Sequence, residues 1–173
     1  MHHTPLYLIL FAITTLLQIF LFNNLAISGL FCPLIYVVFL VMLPLETPAI
    51  AMLGLGLLTG LTMDLTMGVA GLNTATAVAL CFVRPYLMRL ITAREDVRDD
   101  GIPSRARLGK QLFWSYVIVM VLIHHTLFFS LEALSWAHAG RTLLRIVLST
   151  MGSCVAVGIA ERFISSHYSI RSL

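Results

Sequence analysis

Few residues of this chain could carry out chemistry, and the most suggestive are two adjacent histidines, His124 and His125. Adjacent positions on a helix point about 100° apart, whereas two histidines that share a metal ion on a helix normally lie four residues apart. The pair therefore predicts no metal site. Two interpretations remain open, namely buried histidines that hydrogen-bond to a neighbouring helix, or a proton relay.

Other catalytic arrangements are weak in the sequence. Ser153 directly follows Gly152, but no serine has the G-x-S-x setting and partner histidine that an intramembrane serine protease requires. Acid–base chemistry by Asp64 or Glu132 with a histidine stays open, because spacing alone does not test it. We predict a protein that is not an enzyme and that uses no metal ion or other cofactor.

A second group of residues centres on Asp64. Gly56, Gly60 and Asp64 follow one another at steps of four, so they share one helix face, where small residues let another backbone approach closely. The polar turn that comes next contains Gly68, Gly71 and Asn73. Asp64 is therefore expected either to accept hydrogen bonds from this turn and cap the next helix, or to form a partner or ligand site.

Four further charged residues lie near the ends of apolar runs. The long side chain of Arg84 is expected to reach the cytoplasmic headgroups, in the manner of basic residues at the ends of membrane helices. Glu132, Arg141 and Arg145 are expected to form an ion-pair cluster at the outer face, where exposed pairs contribute little stability.

The elements that must position these residues are apolar enough to lie in a membrane. Residues 1–45 contain no Asp, Glu, Lys or Arg, and the chain is 59% hydrophobic and only 11% charged, with a mean hydropathy of +0.94. A soluble domain carries about a quarter charged residues. As helix, residues 1–45 would be about 67 Å long, enough to cross a hydrocarbon core of about 30 Å twice.

We predict a single integral membrane domain, residues 1–173, folded as an all-α compact bundle of six transmembrane helices. The predicted helices cover residues 5–22, 28–44, 47–64, 72–90, 111–130 and 144–164. The second is the shortest, with Pro33 near its start and Pro44 at its end. The N-terminus lacks the basic flank of a cleaved signal, so the first helix is expected to stay in place.

The net charge of +3 is concentrated in one connection, residues 88–110. Its basic residues are Arg89, Arg94, Arg98, Arg105, Arg107 and Lys110. Acidic residues between 95 and 100 alternate with them, so we expect no nucleic acid as a partner. The positive-inside rule places this loop, and with it both termini, in the cytoplasm. The loop either sets this topology or contacts cytoplasmic partners.

The chain resembles the rod shape-determining protein MreD family. The resemblance rests on the sequence GLTMDLTMGVAGLN at residues 60–73 and extends through Arg84 and the paired histidines. It implies a non-enzymatic scaffold of the cell-elongation machinery in the bacterial inner membrane, which helps to position peptidoglycan synthesis and maintain rod shape. The implied partners are an MreC-like membrane protein, a RodA-like polymerase with its transpeptidase, and, directly or indirectly, MreB-like filaments.

The same family is similar in architecture to the substrate-binding subunits of vitamin importers, which are six-helix membrane proteins, but architecture does not fix function. This similarity gives the alternative prediction, a small-molecule binding subunit. Its site would be a polar pocket that opens outward around Asp64, Asn73 and Glu132.

Overall fold

The computed structural model describes residues 4–22, 29–69, 71–92, 101–134 and 138–171, and these residues are mainly helical. The helices are α1 (Thr4–Leu17, continued by a π-helical turn at Gln18–Phe22), α2 (Val37–Val41), α3 (Ala49–Met67), α4 (Leu72–Thr92), α5 (Arg105–Ala133) and α6 (Ala139–Arg171). The predicted connection 23–28 and the centre of the predicted loop 88–110, residues 93–100, lie outside the described residues.

Three of these helices are long and apolar enough to cross a membrane, in the segments Ala49–Met67, Arg105–Ala133 and Ala139–Ser165. A shorter apolar helix covers Leu6–Phe22. Large apolar side chains cover the outside of the bundle, with Phe20, Leu65 and Phe163 each more than 70% exposed. An exterior of this kind suits lipid rather than water, so the fold is that of an all-α membrane protein.

The long helices alternate in direction. The chain turns sharply between α3 and α4, α5 packs on α4, and α6 packs on α5. Tyr36 contacts Asn73 and His124 at one level of the bundle. Arg84 contacts Tyr116 at a second level, about 11 residues after Asn73 along α4. We call the two ends of the bundle the Asp64 end and the Gly101 end.

The predicted second helix, residues 28–44, is wrong. Within its described part only Val37–Val41 is helical, and the chain before it is extended or turned. Gly29 has a φ of +67°, and Pro33 both lacks an amide donor and disfavours the helical conformation of the residue before it. Residues 29–45, which we call the interior segment, still run through the bundle from the Asp64 end to the Gly101 end.

The interior segment is the centre of the core. All ten residues from Leu34 to Leu43 are at most 4% exposed, and α1, α4, α5 and α6 pack around the short helix α2. An edge-to-face contact between Phe11 and Phe39, with ring centroids 5.2 Å apart, joins α1 to it. The prediction of a helix over residues 28–44 was wrong because a segment buried on every side shows no periodicity that distinguishes a helix from an extended chain.

Candidate functional site: the polar interior

The extended half of the interior segment is held by polar side chains from three surrounding helices. Each of three backbone amides donates to a side chain: Cys32 to Ser149 Oγ (3.0 Å), Leu34 to His125 Nε2 (3.4 Å) and Ile35 to Gln18 Oε1 (2.5 Å). Non-helical backbone inside a membrane is tolerated only where protein groups satisfy its hydrogen bonds. These side chains supply the partners that a continuous helix would have supplied by itself.

The carbonyl groups at the other end of the interior segment accept hydrogen bonds from Arg84 of α4, which is only 1% exposed. Its guanidinium donates to the Leu43 carbonyl, to the Pro44 carbonyl (3.3 Å) and to the Tyr116 hydroxyl (2.7 Å), and that hydroxyl donates to the Val41 carbonyl (2.9 Å). The prediction that Arg84 reaches the headgroups is therefore wrong. The sequence shows only its position near a helix end, whereas its direction depends on the carbonyls that need a donor.

Arg84 is a buried cation whose partners are neutral. Within the described ranges no carboxylate forms an ion pair with it. The last carbonyls of a helix carry partial negative charge and favour a nearby cation. The carbonyls that follow α2, together with Tyr116, offset part of the cost of taking the guanidinium out of water.

Asp64 caps α4 from the preceding helix. Its Oδ1 accepts from the Asn73 amide (2.9 Å) and from Asn73 Nδ2 (3.0 Å), while its Oδ2 accepts from the Thr74 amide (2.9 Å) and the Thr74 hydroxyl (2.5 Å). The two amides belong to the first turn of α4, which has no intrahelical partners for them. Of the two roles expected for Asp64, the structure shows the cap. All four bonds stay within the α3–α4 hairpin.

A chain of hydrogen bonds leads from this cap into the core. Because Asn73 gives its amide group to Asp64, its Oδ1 faces Tyr36 and can only accept, so the Tyr36 hydroxyl donates to it (3.1 Å). His124 Nε2 lies 2.9 Å from the same hydroxyl oxygen and must then be the donor. His124 Nε2 therefore carries a proton, and its buried Nδ1 has no hydrogen-bond partner among the described residues.

His125 has a different set of partners. Its Nδ1 lies 2.9 Å from the Val121 carbonyl, so Nδ1 carries the proton and Nε2 accepts from the Leu34 amide and from Ser153 Oγ (3.3 Å). The two histidines thus bind the interior segment at separate points rather than one ion. The part of the chain that the structure describes contains no group of three metal-ligating side chains.

The glycines of the hairpin divide into two kinds. Gly56 and Gly60 face α4 at close range, and a Cβ on Gly60 would lie 2.8 Å from the Asn73 carbonyl oxygen. Gly68 and Gly71 have φ values of +67° and +78° with open space around them, so the turn requires their backbone conformation rather than their size. All four serve the hairpin, two by packing and two by turning the chain.

Glu132 is the predicted site residue that the structure leaves outside this network. It pairs with Arg145 at 2.8 Å near the Asp64 end, and the Arg145 guanidinium lies over the Phe129 ring, 4.6 Å from its centroid. The third member of the expected cluster, Arg141, lies instead beside Gly29, with 3.4 Å between its Nη2 and a Cβ built there. Among the described residues, the expected cluster is thus reduced to the ion pair between Glu132 and Arg145.

The sequence did not mark several polar side chains of the interior as candidates, among them Tyr36, Tyr116 and Ser149, and for two others it held a usable signal. Gln18 is fully buried in the π-helical turn, and it is the only glutamine in the first apolar run, which was the signal available. Glu161 is 2% exposed and pairs with Arg105, accepting from its Nε (2.8 Å) and its backbone amide (3.2 Å). This pair joins the start of α5 to α6 at the Gly101 end. Its signal was an acidic residue at the close of an apolar run.

Comparisons with known protein families, with curated proteins and with solved structures find no match to this chain.

Proposed function

We propose that this protein is a non-enzymatic membrane scaffold of the bacterial cell-elongation machinery, similar to MreD, and that it binds an MreC-like partner. The observation that carries the proposal is the arrangement of the residues that resemble the MreD family. Gly60, Asp64, Gly68, Gly71 and Asn73 build one rigid hairpin between α3 and α4. A hairpin whose polar groups bond to one another suits a scaffold.

The polar interior supports the same proposal. A catalytic acid, base or nucleophile must be able to reach a substrate. Here both oxygens of the Asp64 carboxylate already accept two hydrogen bonds each, and His125 holds the interior segment. Asp64 is used to cap α4 and His125 to keep an irregular segment inside the bundle, and both uses suit a scaffold.

The proposed topology has six passes through the inner membrane. In this proposal five passes are helices, α1 and α3–α6, and the sixth is the interior segment, which takes the place of the second helix expected from sequence. Placing the basic connection 88–110 in the cytoplasm by the positive-inside rule then puts both termini there. In this orientation the Asp64 end faces the periplasm, where the extracytoplasmic part of an MreC-like protein would lie.

The wider partners in this proposal are a RodA-like polymerase with its transpeptidase and, directly or indirectly, MreB-like filaments. The alternative, a vitamin-binding importer subunit, has less support from the geometry. Its expected pocket would need free polar anchors, but Asp64 and Asn73 bond to each other and Glu132 bonds to Arg145.

The test replaces the resident MreD-like protein of a rod-shaped bacterium with this chain. We expect the chain to maintain rod shape on depletion of the resident protein, and to co-purify with the MreC-like and RodA-like proteins from native membranes. Spherical cells together with the absence of these partners would contradict the proposal. Tight binding of a vitamin-like compound by the purified protein would favour the importer alternative instead.

Matched variants locate the partner face. Ile13→Trp on α1 and Leu61→Trp on α3 make the same kind of change on two outward faces, where these side chains are 49% and 48% exposed. Because both side chains are about half exposed, both variants are expected to fold. A scaffold with one partner face should lose co-purification with only one of them, whereas equal behaviour of both would place the partner elsewhere on the bundle.

A further inference from the structure

We propose that the interior segment is a conformational connection between the two ends of the bundle, so that a structural change at Gly101 alters the Asp64 cap. The proposal goes beyond the scaffold function because a scaffold need not transmit a structural change. It does not depend on that function, since it concerns the protein alone. Three features of the described residues support it: how the segment is held, what it is tied to at each end, and how closely it is packed.

The interior segment is held by separate side-chain bonds instead of a continuous helical ladder. Its extended half depends on Ser149, His125 and Gln18, and its carbonyl end depends on Arg84 and Tyr116. A membrane helix can shift only as a whole with its hydrogen bonds intact. A segment held in this way can move by exchanging a few side-chain hydrogen bonds.

Each half of the segment is tied to a different end of the bundle. At the Gly101 end, the Leu45 amide donates to the Gly101 carbonyl at 2.8 Å. At the Asp64 end, Tyr36 donates to Asn73, which in turn donates to Asp64. The two ties are nine residues apart on one short piece of chain, with α2 between them.

The packing between the ties leaves little room for a displacement to be absorbed. Tyr36, Val37, Leu40, Val41 and Met42 are all fully buried. Close-packed interiors transmit strain because filling or opening a gap of even one methylene is costly. A shift of Leu45 is therefore passed through α2 to Tyr36, and from Tyr36 to the cap of α4.

The experiment perturbs Gly101 and reads out the far end, with the full chain in lipid nanodiscs. Gly101 has a φ of +82°, which L side chains rarely adopt, so the backbone strain of Gly101→Ala is expected to move the carbonyl that Leu45 uses, whereas the flexible Arg107 guanidinium, 2.8 Å from a Cβ there, can move aside. The readout is hydrogen exchange at the Asn73 and Thr74 amides, which donate to Asp64. We expect exchange to accelerate about tenfold, equivalent to about 1.4 kcal/mol.

Gly109→Ala is the matched control. Gly109 also has a positive φ, +74°, and it lies in the same part of the chain, but open space surrounds it. The same strain there should leave exchange at Asn73 and Thr74 unchanged. In addition, Tyr36→Phe removes the tie to Asn73, so adding Gly101→Ala to that variant should have no further effect on the two amides.

Two results would overturn the proposal. One is a Gly101→Ala protein in which exchange changes near Leu45 but not at Asn73 and Thr74. The other is equal acceleration by Gly109→Ala, which would show general destabilisation. If Gly101→Ala fails to fold, Gly101→Asn repeats the test with less strain, because asparagine adopts positive φ more readily and still places a Cβ against Arg107.

Discussion

Gly60→Ala tests how tightly the α3–α4 hairpin is built. A Cβ at this position would lie 2.8 Å from both the Asn73 carbonyl oxygen and the Thr74 amide nitrogen, and closer still to the Thr74 Cα. All three are backbone atoms, so no side chain can rotate away. The two helices must separate by more than about 0.6 Å to reach ordinary van der Waals contact, which begins at 3.4 Å, because the Thr74 Cα is closer than the two atoms at 2.8 Å.

The expected cost follows from three contributions. Overpacking of a close contact costs about 1–3 kcal/mol. Separation also pulls Thr74 away from Asp64 and weakens a helix cap that contributes about 0.5–2 kcal/mol. Replacing a glycine inside a helix by alanine returns about 0.8–1 kcal/mol. The free energy of unfolding should therefore fall by about 2 kcal/mol, and Gly60→Leu should cost more.

Gly54→Ala provides the comparison in the same helix. Gly54 has nothing within 4 Å of a built Cβ, so the substitution gains helix propensity without a clash and should stabilise α3 slightly or leave it unchanged. The free energy of unfolding of both variants is measured by steric trapping during reversible unfolding in bicelles. Equal stability of the two proteins would refute the close contact between α3 and α4.

Three further substitutions test the buried polar contacts by the same unfolding measurement. Asp64→Ala should cost about 2–3 kcal/mol, and Asp64→Asn about half of that, because one oxygen remains to accept; equal costs would contradict the cap. Arg84→Met should cost about 3 kcal/mol by leaving buried acceptors unpaired, whereas the same change at exposed Arg89 should be neutral. Glu161→Gln should cost about 1–2 kcal/mol by weakening its bonds to Arg105, and no loss would mean that this pair does not join α5 to α6.

The sequence by itself determined that lipid surrounds this protein, and it determined most of the helices. A chain with so few charges must bury its backbone polar groups within itself, and the helix is the form that does so locally. The close-packed face of Gly56 and Gly60 could also be predicted, because a spacing of four residues places them together whatever the rest of the fold does.

Only the tertiary structure decided the path of residues 29–45 and the direction of Arg84. An apolar segment buried on all sides has the same composition as a membrane helix, so its extended half could not be recognised until Gln18, His125 and Ser149 were seen at its amides. The direction of Arg84 likewise depends on carbonyls 40 residues away in the chain. The sequence shows which hydrogen bonds a residue is able to form. Which distant partner it bonds to depends on the segments that the fold brings together.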